Sequence, residues 1–152
     1  MDKTIPTTCP NSTNNRKLDN QAGTGDMPEA WANANLVNMV RDMLLLEQDG
    51  ALHLMPGIPT DWAGVGDEIS IRNAPTTMGG PVSCKLSYAS AGKMIMELEA
   101  PQDTIDVVAH FPLPEGSRIR TALVDSKASA PPAGSTIRLE RIHGPVRIEI
   151  RF

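Results

Sequence analysis

Carboxyl, amide and indole side chains gather between residues 26 and 62. Asp26, Glu29 and Asp42 carry carboxyl groups, Asn35 and Asn38 carry amides, and Trp31 and Trp62 carry indoles. Inverting cleavage of a glycosidic bond needs two carboxyl groups on opposite sides of the scissile bond, with room for a water. Glu29 is the weak catalytic candidate for that chemistry. Asp26 is too close to it in sequence to take the opposite side, so a second carboxylate has to come from elsewhere. An indole offers a flat apolar face and one donor, which suits stacking on a sugar ring. The sugar-contacting candidates are therefore Trp31, Asn35, Asn38 and Trp62. Each has a plainer reading. Asp26 and Glu29 have the spacing of a capping box, and acids in a first turn suit the helix dipole. Trp31 on an apolar helix suits a core, and Trp62 suits packing a linker onto a neighbouring domain. The amides can satisfy backbone groups or face water.

Other chemistry is less supported. His53, His110 and His143 fall on three separate strand-like segments without a shared short spacing, so no metal site is expected. Asp103, Asp106 and Asp125 lack the Asp-x-Asp-x-Asp-Gly pattern of a calcium loop. No Gly-x-Ser-x-Gly elbow is present, and Cys84 reads as a core thiol. Cys9 lies in a polar stretch, so the two cysteines do not read as a disulfide framework. No cofactor is implied.

The elements that must position these residues change period near Gly50. A helix is expected from about Met27 to Gln48. Asp26 and Glu29 cap its start, and Pro28 falls in its first turn, where a missing N–H costs little. Asp49-Gly50 reads as its end, with Gly in the left-handed position. Leu36, Val37, Met39, Val40 and Met43 to Leu46 cover most of its circumference. Trp31, Asn35, Asn38 and Asp42 form one polar stripe at i, i+4, i+7 and i+11. A helix this apolar is expected to be buried.

After Gly50 the pattern alternates. Leu52 and Leu54, Ile69 and Ile71, Val82 to Tyr88, Met94 to Leu98, Ile105 to Phe111, Ile119 to Val124, Ile137 to Ile142 and Val146 to Phe152 each read as a strand bounded by turn residues. The expected fold is mainly β, an antiparallel β-sandwich of about eight strands preceded by one long apolar helix. A jelly roll is the close alternative. The expected divisions are a disordered or loop-like polar tail over 1–24, the helix over 25–50, and the β domain over 51–152.

The 152 residues allow one domain with a substantial core. A net charge of −4 and basic residues scattered along strands give no footprint for nucleic acid. No apolar run approaches membrane-spanning length, and the first 24 residues hold no apolar core of a signal peptide. Neither a nucleic-acid nor a membrane partner is expected.

Several segments together carry a resemblance. Asp26-Met-Pro-Glu-Ala-Trp-Ala-Asn-Ala-Asn-Leu36, Met43-Leu-Leu-Leu-Glu-Gln-Asp-Gly50, Leu52-His-Leu-Met-Pro-Gly-Ile-Pro-Thr-Asp-Trp62 and Ile71-Arg-Asn-Ala-Pro-Thr76 occur in an order that resembles the C-terminal region of bacterial six-hairpin glycoside hydrolases of the α-L-rhamnosidase-like kind. There an (α/α)6 barrel hands over to a β-sandwich through segments similar to these. The resemblance covers roughly residues 25–152 and departs from the family in lacking nearly all of the barrel. It implies a C-terminal fragment that supports a catalytic barrel and is inactive alone, with the parent protein periplasmic or secreted. Its partners would be the barrel or a second protein chain, with carbohydrate and self-association through the helix as further expectations. The alternative is a stand-alone carbohydrate-binding or protein-interaction β-sandwich.

Overall fold

Helix α1 spans Ala30–Leu44, and its last turn runs directly into a β-strand. This corrects the expected helix end at Gln48. Leu45–Gln48 forms β1 and pairs antiparallel with β2, Ala51–Leu54, so that Leu45 faces Leu54 and Gln48 faces Ala51. The cause lies in the two residues between. Asp49 and Gly50 have φ of 52° and 74°. Two successive left-handed residues make the hairpin turn whose twist matches that of its flanking strands. An Asp-Gly pair serves a helix end or a hairpin equally well, and here the hairpin buries Leu45 and Leu54 completely.

The structure, a computed structural model, describes residues 30–62, 64–129 and 134–152. The expected polar tail, the first helical positions, Asp26 and Glu29 lie outside the described residues. The chain divides into two units, Met1–Val37 and Asn38–Phe152, with the boundary inside α1. In the first unit the described residues are helical.

Among the described residues, the second unit holds two sheets. The remaining strands are β3 (Glu68–Ala74), β4 (Val82–Ser90), β5 (Lys93–Glu99), β6 (Ile105–His110), β7 (Thr121–Val124), β8 (Lys127–Ser129), β9 (Thr136–Ile142) and β10 (Pro145–Arg151). One sheet has the order β1-β2-β6-β9 and the other β3-β4-β5-β10-β7-β8. The protein is mainly β and its pairings are mostly antiparallel. The exception is β2 with β6, which run parallel because the chain visits the other sheet between them. All eight strands expected from alternation are present, and β1 and β8 are additional. β8 follows a second tight turn, in which Asp125 and Ser126 have φ of 48° and 66° without a glycine.

Alternation decides which side chains fill the core. Val82, Cys84 and Leu86 on β4, Met94, Met96 and Leu98 on β5, and Val146, Ile148 and Ile150 on β10 are all buried. They join Leu45, Leu52, Leu54, Val107 and Ala109 from the other sheet in a single apolar cluster. Each Val, Leu, Ile or Met among them contributes roughly 1.5–3 kcal/mol on removal from water, before conformational entropy is counted. Among the described residues, the first member of this core along the chain is Leu45. The helix residues expected to be buried are not: Leu36, Val37, Met39 and Val40 are 56%, 67%, 55% and 41% exposed. Strand side chains fill the core, and the last residue of α1, Leu44, packs against it.

Candidate functional site

Three segments distant in sequence meet at the C-terminal end of α1. A helix end leaves carbonyls without intrahelical partners. Here Met55 N–H donates to the Leu44 carbonyl at 2.8 Å and Gly57 N–H to the Met43 carbonyl at 3.0 Å. Met55 takes φ of 56° to do so, an unfavourable left-handed conformation for a residue with a Cβ. Its side chain is 1% exposed, and that burial offsets the backbone cost. Gly57 approaches so closely that a Cβ there would stand 2.9 Å from the Met43 Cα. The Met-Pro-Gly sequence is thus an end-cap for the helix.

Glu47 completes the junction. Its carboxylate accepts the Thr77 N–H at 3.0 Å and the Thr77 hydroxyl. Arg41 reaches the same carboxylate at 3.3 Å and donates to the Pro75 carbonyl at 2.8 Å. The Thr77 hydroxyl, followed by the Thr77 amide and Arg41, holds the Glu47 carboxyl below its ordinary range despite partial burial. A carboxylate held ionised with its lone pairs engaged is a poor general acid, which needs a raised pKa. The cluster suits fixing a helix to a β body rather than bond cleavage.

The residues of this junction are none of the sequence-derived candidates. Glu29 lies outside the described residues. Trp31 and Asn35 belong to the helical part of the first unit. Asn35, Asn38 and Asp42 are exposed, and Asp42 touches its neighbour Arg41 at 3.4 Å. Trp62 ends a single 3₁₀ turn, Thr60–Trp62, and is 52% exposed. It does not seal a linker onto the core, contrary to its plainer reading.

An open groove of about 790 Å³ crosses the outer face of the six-stranded sheet, lined in part by Arg72, Lys85, Glu97, Asp125 and Arg147. Three of these charges, Lys85, Glu97 and Arg147, are paired across strands. Lys85 meets Glu97 at 2.8 Å and Glu68 at 3.7 Å, and Arg147 meets Glu97 at 2.6 Å. Lys85 and then Arg147 hold the Glu97 carboxyl below its ordinary range. Among the described residues, no aromatic side chain lines the groove. It is a solvated sheet face on which Lys85, Glu97 and Arg147 satisfy one another.

Two histidines converge where sequence spacing gave no sign. His53 Nδ1 and His110 Nε2 are 3.0 Å apart, brought together by the parallel pairing of β2 with β6. His143 does not join them, and among the described residues no group of three metal-ligating side chains forms. Asp106 is held by Arg138 and the Arg141 N–H, and Asp125 by the Arg147 N–H. Burial pushes the Cys84 thiol up to about 12, which leaves it an inert core group. The residues missed by sequence reasoning are Arg41, Glu47 and Thr77, whose partners lie some thirty residues away in sequence. No protein-family model matches the chain, and comparison with characterised proteins and with solved structures finds no match in either.

Proposed function

We propose that this chain is the helix-and-β end of a carbohydrate-active glycoside hydrolase, with a structural role. In this reading the two sheets are the layers of a β-sandwich that buttresses a helical catalytic barrel, and α1 is the element that docks into it. The observation that carries the reading is a helix gripped firmly at one end while its apolar side chains Leu36, Val37, Met39 and Val40 stay exposed. An apolar surface of this kind is the mark of an interaction site. The segments that carry the family resemblance support it further, since Met55, Gly57 and Pro75 within them hydrogen-bond the end of α1.

The chain alone is expected to leave aryl glycosides, including aryl α-L-rhamnosides, unhydrolysed. Turnover by the purified chain that disappears in Glu29→Gln overturns the structural role. An in-frame (α/α)6 barrel encoded immediately upstream supports it. The second reading, a stand-alone carbohydrate-binding module, draws on the exposure of Trp62. Titration calorimetry with plant and bacterial oligosaccharides separates the two, since that reading requires binding that is lost in Trp62→Ala.

A further inference from the structure

We infer that His53 and His110 share one proton across the β2–β6 seam, and that a second proton loosens the β1–β2 hairpin from the rest of its sheet. The geometry is specific. The ring nitrogens are 3.0 Å apart while the ring centres are 5.2 Å apart, with the planes inclined by 29°. For two five-membered rings with nitrogens this close, that separation of centres is near the largest available. The nitrogens therefore point at each other along the line of centres. In such an arrangement one ring is the N–H donor and the other the acceptor. A chelated metal ion would need both lone pairs aimed at a third point, which a head-on pair does not provide. Once both rings are protonated there is no acceptor, and two cations face one another.

The surroundings do not neutralise that second charge. On this face of the sheet β1 presents Leu46 and Gln48, β6 presents Asp106 and Val108, and β9 presents Thr136 and Arg138, while the register shift beyond Leu139 sets Glu140 and Arg141 together opposite Asp106. Asp106 is already engaged by Arg138 at 3.4 Å and by the Arg141 N–H at 3.0 Å. Glu140 is exposed. Burial, and then the charge of His53, hold His110 below the ordinary histidine range. The unfolded chain thus binds the second proton more readily than the folded one. Stability contributed by the pair is present above the ordinary histidine value of about 6.5 and is lost as pH falls from there through the lowered folded value.

The consequence is local because of the strand order. β1 is an edge strand and β2 joins the body of the sheet only through β6. Every sheet hydrogen bond from the hairpin to the body crosses the seam that the pair spans. The same hairpin carries Glu47 and continues from α1.

Hydrogen exchange on the full chain at about pH 7.5 and about pH 5, corrected for intrinsic rates, tests this within a window above the carboxylate range. Protection of the β1 and β2 amides should fall relative to β4 and β5 on acidification, roughly tenfold per unit by which the pair's second pKa is lowered. In His110→Gln, whose amide still partners His53 without a second charge, this relative loss should vanish. Ring-carbon NMR of the wild-type chain gives an independent readout. Two separated steps, one below the ordinary range, are expected there, and a single step for His53 in the variant. Independent one-step titrations of both rings near the ordinary value in the wild type, or the same acid loss of protection in His110→Gln, overturn the inference.

Discussion

Gly50 and Gly57 stand seven positions apart and are glycine for different reasons. Gly50 needs only its backbone conformation, since a Cβ there meets nothing within 4 Å at φ of +74°. Gly50→Ala should therefore cost about 1 kcal/mol, the penalty of a left-handed residue with a side chain. Gly57 needs empty space. Its added Cβ would lie 2.9 Å from both Cα and Cγ of Met43 and 3.1 Å from Cβ. Gly57→Ala should cost more, about 1–3 kcal/mol, because the helix end has to move. Met43→Ala removes only the Cγ contact and leaves the Cα and Cβ contacts in place, so it should not rescue Gly57→Ala. Urea denaturation of the four variants checks the order. A Gly57→Ala cost no larger than that of Gly50→Ala, or full rescue by Met43→Ala, contradicts the packing argument.

At the scale of elements, the end of α1 is held to the β body by the backbone caps from Met55 and Gly57, by Leu44 against the core, and by the side chains of Arg41, Glu47 and Thr77. Glu47→Gln keeps the shape but removes the charge that the Thr77 hydroxyl, the Thr77 N–H and Arg41 all address. It should destabilise by about 1–2 kcal/mol, as expected for loss of charge-assisted hydrogen bonds. The effect should fall unevenly, with faster amide exchange at the end of α1 and in β1 and unchanged exchange in β4 and β5. Uniform loss of protection would mean that Glu47 supports the global fold instead. The same region marks where sequence was legible and where it was not. The strands of the six-stranded sheet show in local alternation, since Val82, Cys84 and Leu86 need only one buried face to declare themselves. Leu44, Leu45 and Leu46 are apolar at every position and fit either period, so the helix-to-strand change is silent there. Asp49-Gly50 could not decide it, because the same pair ends helices and closes hairpins. β8 was missed because Asp125 and Ser126 take two left-handed conformations without glycine. The Glu47 junction and the histidine pair depend on contacts across 30 and 57 residues, beyond any local pattern.

For the whole molecule, three carboxylates among the described residues tie stability to acid pH. Thr77 holds Glu47 below the ordinary carboxylate range, Lys85 holds Glu97 there, and Lys93 holds Glu149 there. A depressed folded pKa means that the unfolded chain binds more protons in acid. The stability these groups contribute is complete above about pH 4.3 and is lost as pH falls through their lowered folded values. This second loss lies below the window of the histidine pair, so stability should fall in two stages with a shallower region between. Salt distinguishes the contributors. The Glu97 pairs with Lys85 and Arg147 and the Glu149 pair with Lys93 join side chains that are 20–50% exposed, and about 0.5 M salt should screen most of their part. The part from Glu47 depends chiefly on short hydrogen bonds to Thr77 and should persist in salt. Urea midpoints measured from about pH 7 to about pH 3, with and without added salt, should therefore show an acid loss that salt reduces without removing. Glu47→Gln should take away the salt-resistant remainder. An acid loss of full size in both salt and Glu47→Gln would place the controlling carboxylates elsewhere.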